Sequence, residues 1–497
     1  MKLAQADLVR NYVLMGHPEQ LQTDWYLKYW HPLEEAFGTN YRVLFDSFLR
    51  DFLTLELRPA KPFKLENVYI EFKRWYPAYL NHKDNHLKAI DKLQRMARFG
   101  RYFCRFIIGP DEAPKLEERV SRLRQLVDVA ATAVMVLYER LHHDKTLTAE
   151  EFCEAIDLLE SYVFRRSVLG AETRSGGMIF ATLASKIRVD APLKSLKARL
   201  ALLGRGKEFP TDGEFEQALL SGDLYNRRNC FYMLLRMTNA SKEKSVPGGL
   251  TIEHVMPQKA ELAEEWKAML GPEWKEIQQT WLHRLGNLTL SGFNAELQAA
   301  PFLQKRDLNP GGYADSSVWL NRGLAKLDHW TPVEMEARSQ QLAKVALSVW
   351  PPLVADESAK KQAQLDDAVQ AASGKTRADV RCEEPLRSWL DKLADFLLSL
   401  GEDVTEVPTQ RSLVFHMPSW FVELLPRAYG VDIRLACDAA DLASIVPGIQ
   451  ASALWVRIAN SAIPGNDGAI YSLISENKLD EAYALMRKAY ELAEDFD

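Results

Sequence analysis

Residues 251–258 read Thr-Ile-Glu-His-Val-Met-Pro-Gln, and residues 285–290 read Leu-Gly-Asn-Leu-Thr-Leu. Each stretch holds a short run of apolar and β-branched residues, which predicts a β-strand. Pro257 has no backbone N–H, so we expect the first strand to end near His254. Because side chains alternate along a strand, Glu253 and His254 should face opposite sides unless a bend brings them together.

The polar residues in and after these stretches form a set suited to hydrolysis of a phosphodiester. That reaction needs a base for water, a metal that offsets phosphate charge and polar groups that hold the geometry. Glu253 and His254 can supply a metal ligand and a base. Asn287 lies in a Gly-Asn turn where its side chain can hold the His254 loop, and Asn294 can offer a carbonyl oxygen. Oxygen ligands favour Mg²⁺ or Mn²⁺ over zinc.

The chain before these stretches predicts helix after helix. Apolar and aromatic residues recur at helical spacing. The segments with this spacing are residues 21–37, 43–57, 87–106, 116–141 and 149–168. We therefore predict an all-helical domain over residues 1–245.

The rest of the chain divides by composition into further parts. Residues 246–312 form a core around the two strands, with a helical insert at 259–281, and residues 313–354 form a helical tail. Residues 355–380 are polar and rich in Ala, Gln, Lys and Asp, which indicates a linker or a solvated helix. Residues 381–497 combine strand patterns with a helix at each end, which predicts a small α+β domain of unknown role.

The composition is that of an ordinary globular protein, with 47% hydrophobic and 26% charged residues. The formal net charge of −6 does not indicate a nucleic-acid partner, so any basic surface must be local. The five cysteines form no CxxC pair, which argues against a zinc ribbon and favours a reducing cytoplasm. The first residues lack the apolar core of a signal peptide, and no run of about 18 apolar residues follows. We therefore predict a cytoplasmic protein without a membrane span.

At these motifs the chain resembles a known family. The pattern Ile-Glu-His-x-x-Pro-Gln, a Trp-containing insert, Leu-Gly-Asn-Leu-Thr-Leu, then Asn and Phe-x-x-Lys is similar to the HNH-type nuclease domain of GmrSD-type Type IV restriction endonucleases. The resemblance implies a ββα-metal core in a mainly α chain. It makes His254 the general base and Asn287 the central asparagine. Glu253 and Asn294 become the metal ligands, and Lys305 stands at the family spacing after its phenylalanine.

The resemblance extends over residues 1–350 and implies a DNA endonuclease in phage defence, with modified cytosine as the mark that it recognises. Lys305 or Arg306 would contact phosphate, and His283 would support the site rather than bind the metal directly. The family also has an NTP-binding domain with an Asp-Gly-Gln-Gln-Arg motif, which this sequence lacks. We therefore expect an NTP to act only through a missing domain or a separate nucleotide-binding subunit. The oligomeric state stays open.

Several features have a structural interpretation beside the functional one. The motif could be degenerate in a DNA-binding or scaffold subunit, or it could belong to an enzyme that acts on RNA. Basic residues at helical spacing or in pairs could contact phosphates or could fix helices by ion pairs. These residues are Lys88, Lys92, Arg95, Arg98 and the arginine pairs at 165–166 and 227–228. The tryptophans of the insert favour a buried core over a base-stacking surface.

Overall fold

The structure is a computed structural model that divides into two compact units, Met1–Val354 and Ala355–Asp497. It describes the chain except residues 1–4, 16, 60–62, 77–82, 111–112, 172–175, 205, 241–248, 373–376, 378–379, 381, 383, 402–403, 410, 418, 428, 459–460 and 495–497. At residues 83–86, 368–372, 417, 419–420, 450–458, 461–467 and 494 it describes the backbone alone. Within the described residues, no helix is long and apolar enough to cross a membrane.

Helices dominate the first unit, and the predicted mainly helical architecture is confirmed. The helices before the first strand are α1 (Gln5–Leu14), α2 (Glu19–Trp25), α3 (His31–Phe37), α4 (Tyr41–Leu57), α5 (Val68–Trp75), α6 (Lys83–Ile107), α7 (Pro114–Leu126), α8 (Ala131–Glu139), α9 (Ala149–Val168), α10 (Gly176–Ser185), α11 (Pro192–Ala201), α12 (Asp212–Ser221) and α13 (Cys230–Thr238). Short helical segments lie at Tyr26–Trp30, Gly38–Asn40, Leu65–Asn67 and Arg140–Asp144.

Local sequence signals predict the ends of some helices correctly and the ends of others incorrectly. The helix predicted at residues 149–168 is α9, and a capping box starts it, because Thr148 and Glu151 each accept the other's backbone N–H. The single helix predicted at residues 116–141 is wrong, since the structure has α7 and α8 there. Val127 adopts an extended backbone that ends α7, and the turn lets α8 bury every one of its residues.

The basic residues at helical spacing on α6, here called the basic stripe, are Lys88, Lys92, Arg95 and Arg98. Its arginines hold neighbouring helices together by ion pairs. Arg95 and Arg98 donate to the buried carboxylate of Glu139 on α8 at 3.3 and 3.1 Å. Arg95 also donates to Glu56 on α4 at 2.9 Å, and Lys92 donates to a backbone carbonyl. These contacts favour the structural interpretation of the stripe over phosphate binding.

Arg165 on α9 also has a structural role. Its fully buried guanidinium donates to the carbonyl of Trp350 at 2.6 and 2.9 Å and to the carbonyl of Pro210 at 3.0 Å. It also donates to the carboxylate of Asp212 at 2.5 Å. One side chain thus joins the helical region to the start of α12 and to the residue after the last helix of the unit.

A two-stranded antiparallel sheet follows the helical region. Strand β1 (Thr251–His254) pairs with β2 (Leu288–Ser291), so that Thr251 lies opposite Ser291 and His254 lies opposite Leu288. The insert between them contains α14 (Glu264–Leu270), α15 (Trp274–Trp281) and a short turn at Leu285–Asn287. After β2 come α16 (Asn294–Leu297), α17 (Phe302–Asp307), short turns at Trp319–Asn321 and Leu324–Lys326, and α18 (Pro332–Val349).

The two strands lie between two apolar clusters. Leu288 and Leu290 of β2 join a cluster with α13 and α18, whereas the residues just after β1 join Trp266 and Trp330 in a second cluster. Trp266 and Trp281 are buried, which supports the core interpretation for these two tryptophans of the insert, whereas Trp274 is half-buried. Gly286 allows the Leu-Gly-Asn turn to touch α18, because a Cβ there would lie 2.2 Å from the carbonyl oxygen of Met335.

The second unit is built on a six-stranded antiparallel sheet of order β3-β4-β5-β6-β8-β7. Its strands are β3 (Thr405–Pro408), β4 (Leu413–Met417), β5 (Ser419–Arg427), β6 (Gly430–Leu435), β7 (Gln450–Ile458) and β8 (Ser461–Leu473). Its helices are α19 (Glu357–Ala372), α20 (Leu386–Leu398), α21 (Ala439–Leu442), α22 (Leu479–Glu494) and the short turn Glu476–Lys478. Buried leucines of α20 and α22 pack on one sheet face. Of the two alternatives for residues 355–380, a helix is present, and its Ala363 and Leu365 are buried.

Candidate active site

His254 stands at the end of β1 with polar groups on both ring nitrogens. Its Nδ1 lies 2.6 Å from the side-chain nitrogen of Gln258, and its Nε2 lies 3.2 Å from Nδ1 of His283. The ring of Tyr225 meets the ring of His254 edge-on at 4.4 Å between centroids and stacks on His283 at 5.0 Å. Three side chains therefore fix the imidazole in one orientation.

Burial, together with the charges of His283 and Lys305, lowers the pKa of His254 to about 3. The imidazole is therefore neutral at physiological pH. A neutral imidazole is the form that accepts a proton, and a phosphate anion beside the ring would raise its pKa towards the range that suits a general base.

Glu253 lies in a separate pocket from the imidazole. Its Oε1 accepts from the ammonium of Lys305 at 2.6 Å and from the hydroxyl of Tyr313 at 3.2 Å. Burial raises the pKa of Glu253, and the charge of Lys305 opposes that rise. Lys305 is fully buried and also donates to the backbone carbonyl of His254 at 2.8 Å. The lysine thus links the acidic residue to the backbone of the histidine.

Asn287 holds the chain that follows His254. Its Oδ1 accepts from the backbone N–H of Met256 at 2.7 Å, and its amide donates to the carbonyl of Met256 at 3.0 Å. The same amide donates to Leu282, and Trp330 donates to Oδ1 at 3.1 Å. The amide nitrogen of Asn287 thus makes two hydrogen bonds as a donor, and its oxygen accepts two. The fully buried side chain is therefore held in one position.

Asn294 begins α16 on the same face of β1 as Glu253. Its amide donates to the hydroxyl of Thr251 at 2.6 Å and to the carbonyl of Ile252 at 2.9 Å. Thr251 and Glu253 share a face because they are two residues apart in the strand. The Oδ1 of Asn294 is buried, and no donor among the described residues reaches it. A buried acceptor without a donor is a suitable ligand for a hard divalent cation.

The structure brings the expected site residues together in two groups. Glu253, Lys305 and Tyr313 form one group, and His254 with His283 and Gln258 forms the other. The two groups lie on opposite sides of the strand end, as alternation along β1 requires.

Arg306 forms ion pairs with neighbouring carboxylates rather than with residues of the motif. Its guanidinium donates to Asp307 and Asp328, each at 2.6 Å, and to the carbonyl of Leu327 at 3.0 Å. Lys305 is enclosed in the fold. In this structure neither residue presents a free cation to a phosphate, and the predicted phosphate contact of this pair stays a prediction.

One further group of metal-type side chains lies in the helical region. Glu139, His143 and Asp144 place ligand atoms within 4.8 Å of one another in the described part of the chain. Glu139 already accepts from Arg95 and Arg98, and Asp144 accepts from an arginine as well. Because arginines neutralise these carboxylates, the group is better explained as an ion-pair network than as a metal site.

Sequence reasoning assigned no role to three residues that touch the site. Gln258 belongs to the quoted motif, but its proximity to the ring depends on the turn at Pro257. Tyr225 and Tyr313 lie far along the chain from the residues that they contact, and no spacing in the sequence links them. Only the folded chain shows these partners.

The site residues lie within a segment that is similar to a domain of restriction endonucleases. The family model described as GmrSD restriction endonucleases, C-terminal domain, matches residues 209–345. The match supports the assignment of this chain to the GmrSD-type Type IV restriction endonucleases. A comparison with curated proteins finds no similar protein.

Proposed function

We propose that this protein is a metal-dependent, HNH-type DNA endonuclease of a modification-dependent restriction system in phage defence. One observation supports it above the others. Within the segment that matches the GmrSD C-terminal domain, a neutral and oriented imidazole stands at the end of a two-stranded sheet, next in sequence to a buried carboxylate. The order of two strands followed by short helices agrees with a ββα core.

His254 acts as the general base in this proposal. Its ring takes a proton from the water that attacks the phosphorus atom in line with the leaving oxygen. Gln258 fixes the ring through Nδ1, and His283 faces Nε2 at 3.2 Å. Asn287 keeps the chain after His254 in place, so it is a positioning residue.

Glu253 and Asn294 would hold Mg²⁺ or Mn²⁺, because one offers a carboxylate and the other a buried carbonyl oxygen without a donor. Such an ion, when bound, offsets charge on the phosphate and on the leaving oxygen. Lys305 fixes the carboxylate of Glu253 and the backbone of His254, and we assign it a positioning role rather than a phosphate contact.

The substrate and partners follow from the family rather than from the geometry. We propose DNA with modified cytosine as the substrate, and an NTP-binding domain or subunit as the partner. A comparison of cleavage on modified and unmodified DNA tests this part.

A second candidate function is a catalytically degenerate subunit that binds DNA or acts as a scaffold. The ion pair of Glu253 with Lys305 favours it, because an internal ammonium already neutralises the carboxylate that a metal would need. Metal binding separates the two functions. Isothermal titration of Mn²⁺ into the wild type and into Glu253→Gln should show heat that the variant loses if the enzyme interpretation is right.

The deciding experiment is cleavage of modified and unmodified DNA with Mg²⁺ or Mn²⁺, with and without NTP. Wild type is compared with His254→Ala and with His329→Ala, a matched change at an exposed histidine. We expect cutting by the wild type and the His329 variant, and its loss in the His254 variant. Cutting that survives in His254→Ala would disprove the base assignment, and absence of cutting throughout would favour the degenerate subunit.

A further inference from the structure

A cationic cavity lies close to the candidate active site in the same unit. It has a volume of about 650 Å³ and is bounded by the end of α9, the turn after α7 and the segment between α12 and α13. Its lining contains a single acidic residue, Asp128, among the described residues, against four arginines. The arginines are Arg124, Arg166, Arg227 and Arg228. A cavity of this volume is large enough for part of a nucleotide chain.

The four arginines differ in how far their charge is neutralised. Arg124 is paired with Glu117. Arg166 donates to two backbone carbonyls, which orient the guanidinium without cancelling its charge. Arg227 and Arg228 are exposed, and no carboxylate in the described part of the chain lies within ion-pair distance of them, although the charge of Arg227 acts on nearby Asp223. Asp128, Asp223 and Glu117 thus offset only part of the charge of the four arginines, and an anion would be favoured in the cavity.

The side chain of Arg227 extends from the segment between α12 and α13 to the end of α9. A Cβ built at Gly170 would lie 3.0 Å from Nη1 of Arg227, and Gly170 has a φ of +76°. The missing side chain thus leaves room for the guanidinium against the backbone after α9. Arg227 therefore contacts two walls of the cavity, its own segment and the end of α9.

The arginine segment continues directly from the active site. Tyr225 contacts the rings of His254 and His283, and the backbone N–H of Tyr225 donates to the carbonyl of His283 at 3.4 Å. Arg228 follows three residues later, so its Cα lies at most about 11 Å from that of Tyr225. A DNA strand rises about 3.4 Å per nucleotide, so this distance corresponds to at most about three nucleotides.

We propose that this cavity binds phosphates of the DNA strand next to the phosphodiester that is cut, with Arg166, Arg227 and Arg228 as the phosphate ligands. The inference rests on the proposed function, because that function places the cut phosphodiester at His254. Guanidinium groups suit this task, since they donate two parallel hydrogen bonds to phosphate oxygens. The local positive charge also explains how a chain with a net charge of −6 can approach DNA.

The test measures DNA binding separately from DNA cutting. A fluorescein-labelled duplex is titrated with the full-length chain in EDTA, and anisotropy is followed at several salt concentrations. The variant is Arg227→Ala with Arg228→Ala. The control is Arg42→Ala with Arg101→Ala, which removes the same charge at two exposed helical arginines outside the cavity. Thermal melting of each variant shows whether the fold is kept.

We expect Kd to rise on the order of ten-fold or more in the cavity variant, and the slope of log K against log salt to become flatter by about 2. The control variant should bind like the wild type. Equal binding by the cavity variant and the control, or a wild type that does not bind DNA, would overturn the inference. The proposed function fails on a different result, namely cutting that persists in His254→Ala, so the two failures can be told apart.

Discussion

His254 and His416 lie in different units and are equally buried, since each is 4% exposed. Burial lowers the pKa of both, to about 3 for His254 and about 4 for His416. Their surroundings differ. The ring of His254 touches Gln258 and His283, whereas no group in the described residues hydrogen-bonds either ring nitrogen of His416. A lowered pKa alone therefore does not mark a catalytic histidine, and the polar partners do.

The largest expected difference between the two histidines is in cleavage. His254→Ala should lower the cleavage rate on the order of 10³- to 10⁴-fold, because the base is lost. His416→Leu should leave the rate within about two-fold, since a histidine without polar partners has no part in proton transfer. Both rates are measured on the same DNA with Mg²⁺, and circular dichroism checks the fold. Similar losses in both variants would remove the distinction.

The second largest expected effect is on stability and concerns the ion pair between Glu253 and Lys305. Lys305→Met should destabilise the first unit by about 3–5 kcal/mol, because it leaves the carboxylate of Glu253 buried without its cation. Adding Glu253→Gln should restore much of this loss. Urea unfolding followed by tryptophan fluorescence measures the change. Lys267→Met, at an exposed ion pair, is the control and should have a far smaller effect. A single Lys305 variant as stable as the wild type would contradict the buried pair.

The acid stability of the second unit tests the other histidine. A lowered pKa in the folded state means that the unfolded chain binds more protons between pH 6.5 and about 4. His416 therefore destabilises the fold progressively as pH falls from 6.5 through 4. His416→Leu should remove up to roughly 3 kcal/mol of that decline. Urea unfolding from pH 7 to 4, with hydrogen exchange in β4 as the local readout, measures it. An unchanged slope would show that His416 is solvated.

The smallest effect concerns the orientation of the His254 ring. Gln258→Leu should lower the cleavage rate about ten-fold, because the ring loses the partner of Nδ1 while Nε2 keeps its neighbour. Gln298→Leu, at an exposed glutamine of the same domain, is the matched control. Rescue by Gln258→Asn would indicate a role in positioning. A Gln258→Leu variant with the full rate would show that His283 and Tyr225 suffice.

Sequence patterns predicted the elements of this molecule that depend on residues close together in the sequence. The limits of α9 follow from a capping box and helical spacing, and β1 and β2 follow from short β-branched runs before a proline or after a Gly-Asn turn. The break between α7 and α8 has no such signal, because no proline or glycine marks the extended backbone of Val127 and the apolar spacing runs on into the fully buried α8. The same limit applies to the site. Glu253 and His254 were visible in a motif, whereas Tyr313 and Tyr225 reach them only through tertiary packing.

Arg165 has a consequence for how such proteins can be recombined. Its guanidinium binds carbonyls near the start and just after the end of the segment that matches the family model. Transplanting that segment alone into another protein would leave the carbonyl of Pro210 without its donor and would expose the apolar face that packs on α9. We therefore expect the segment to be inherited together with its helical scaffold, so that evolution exchanges the pair as one piece.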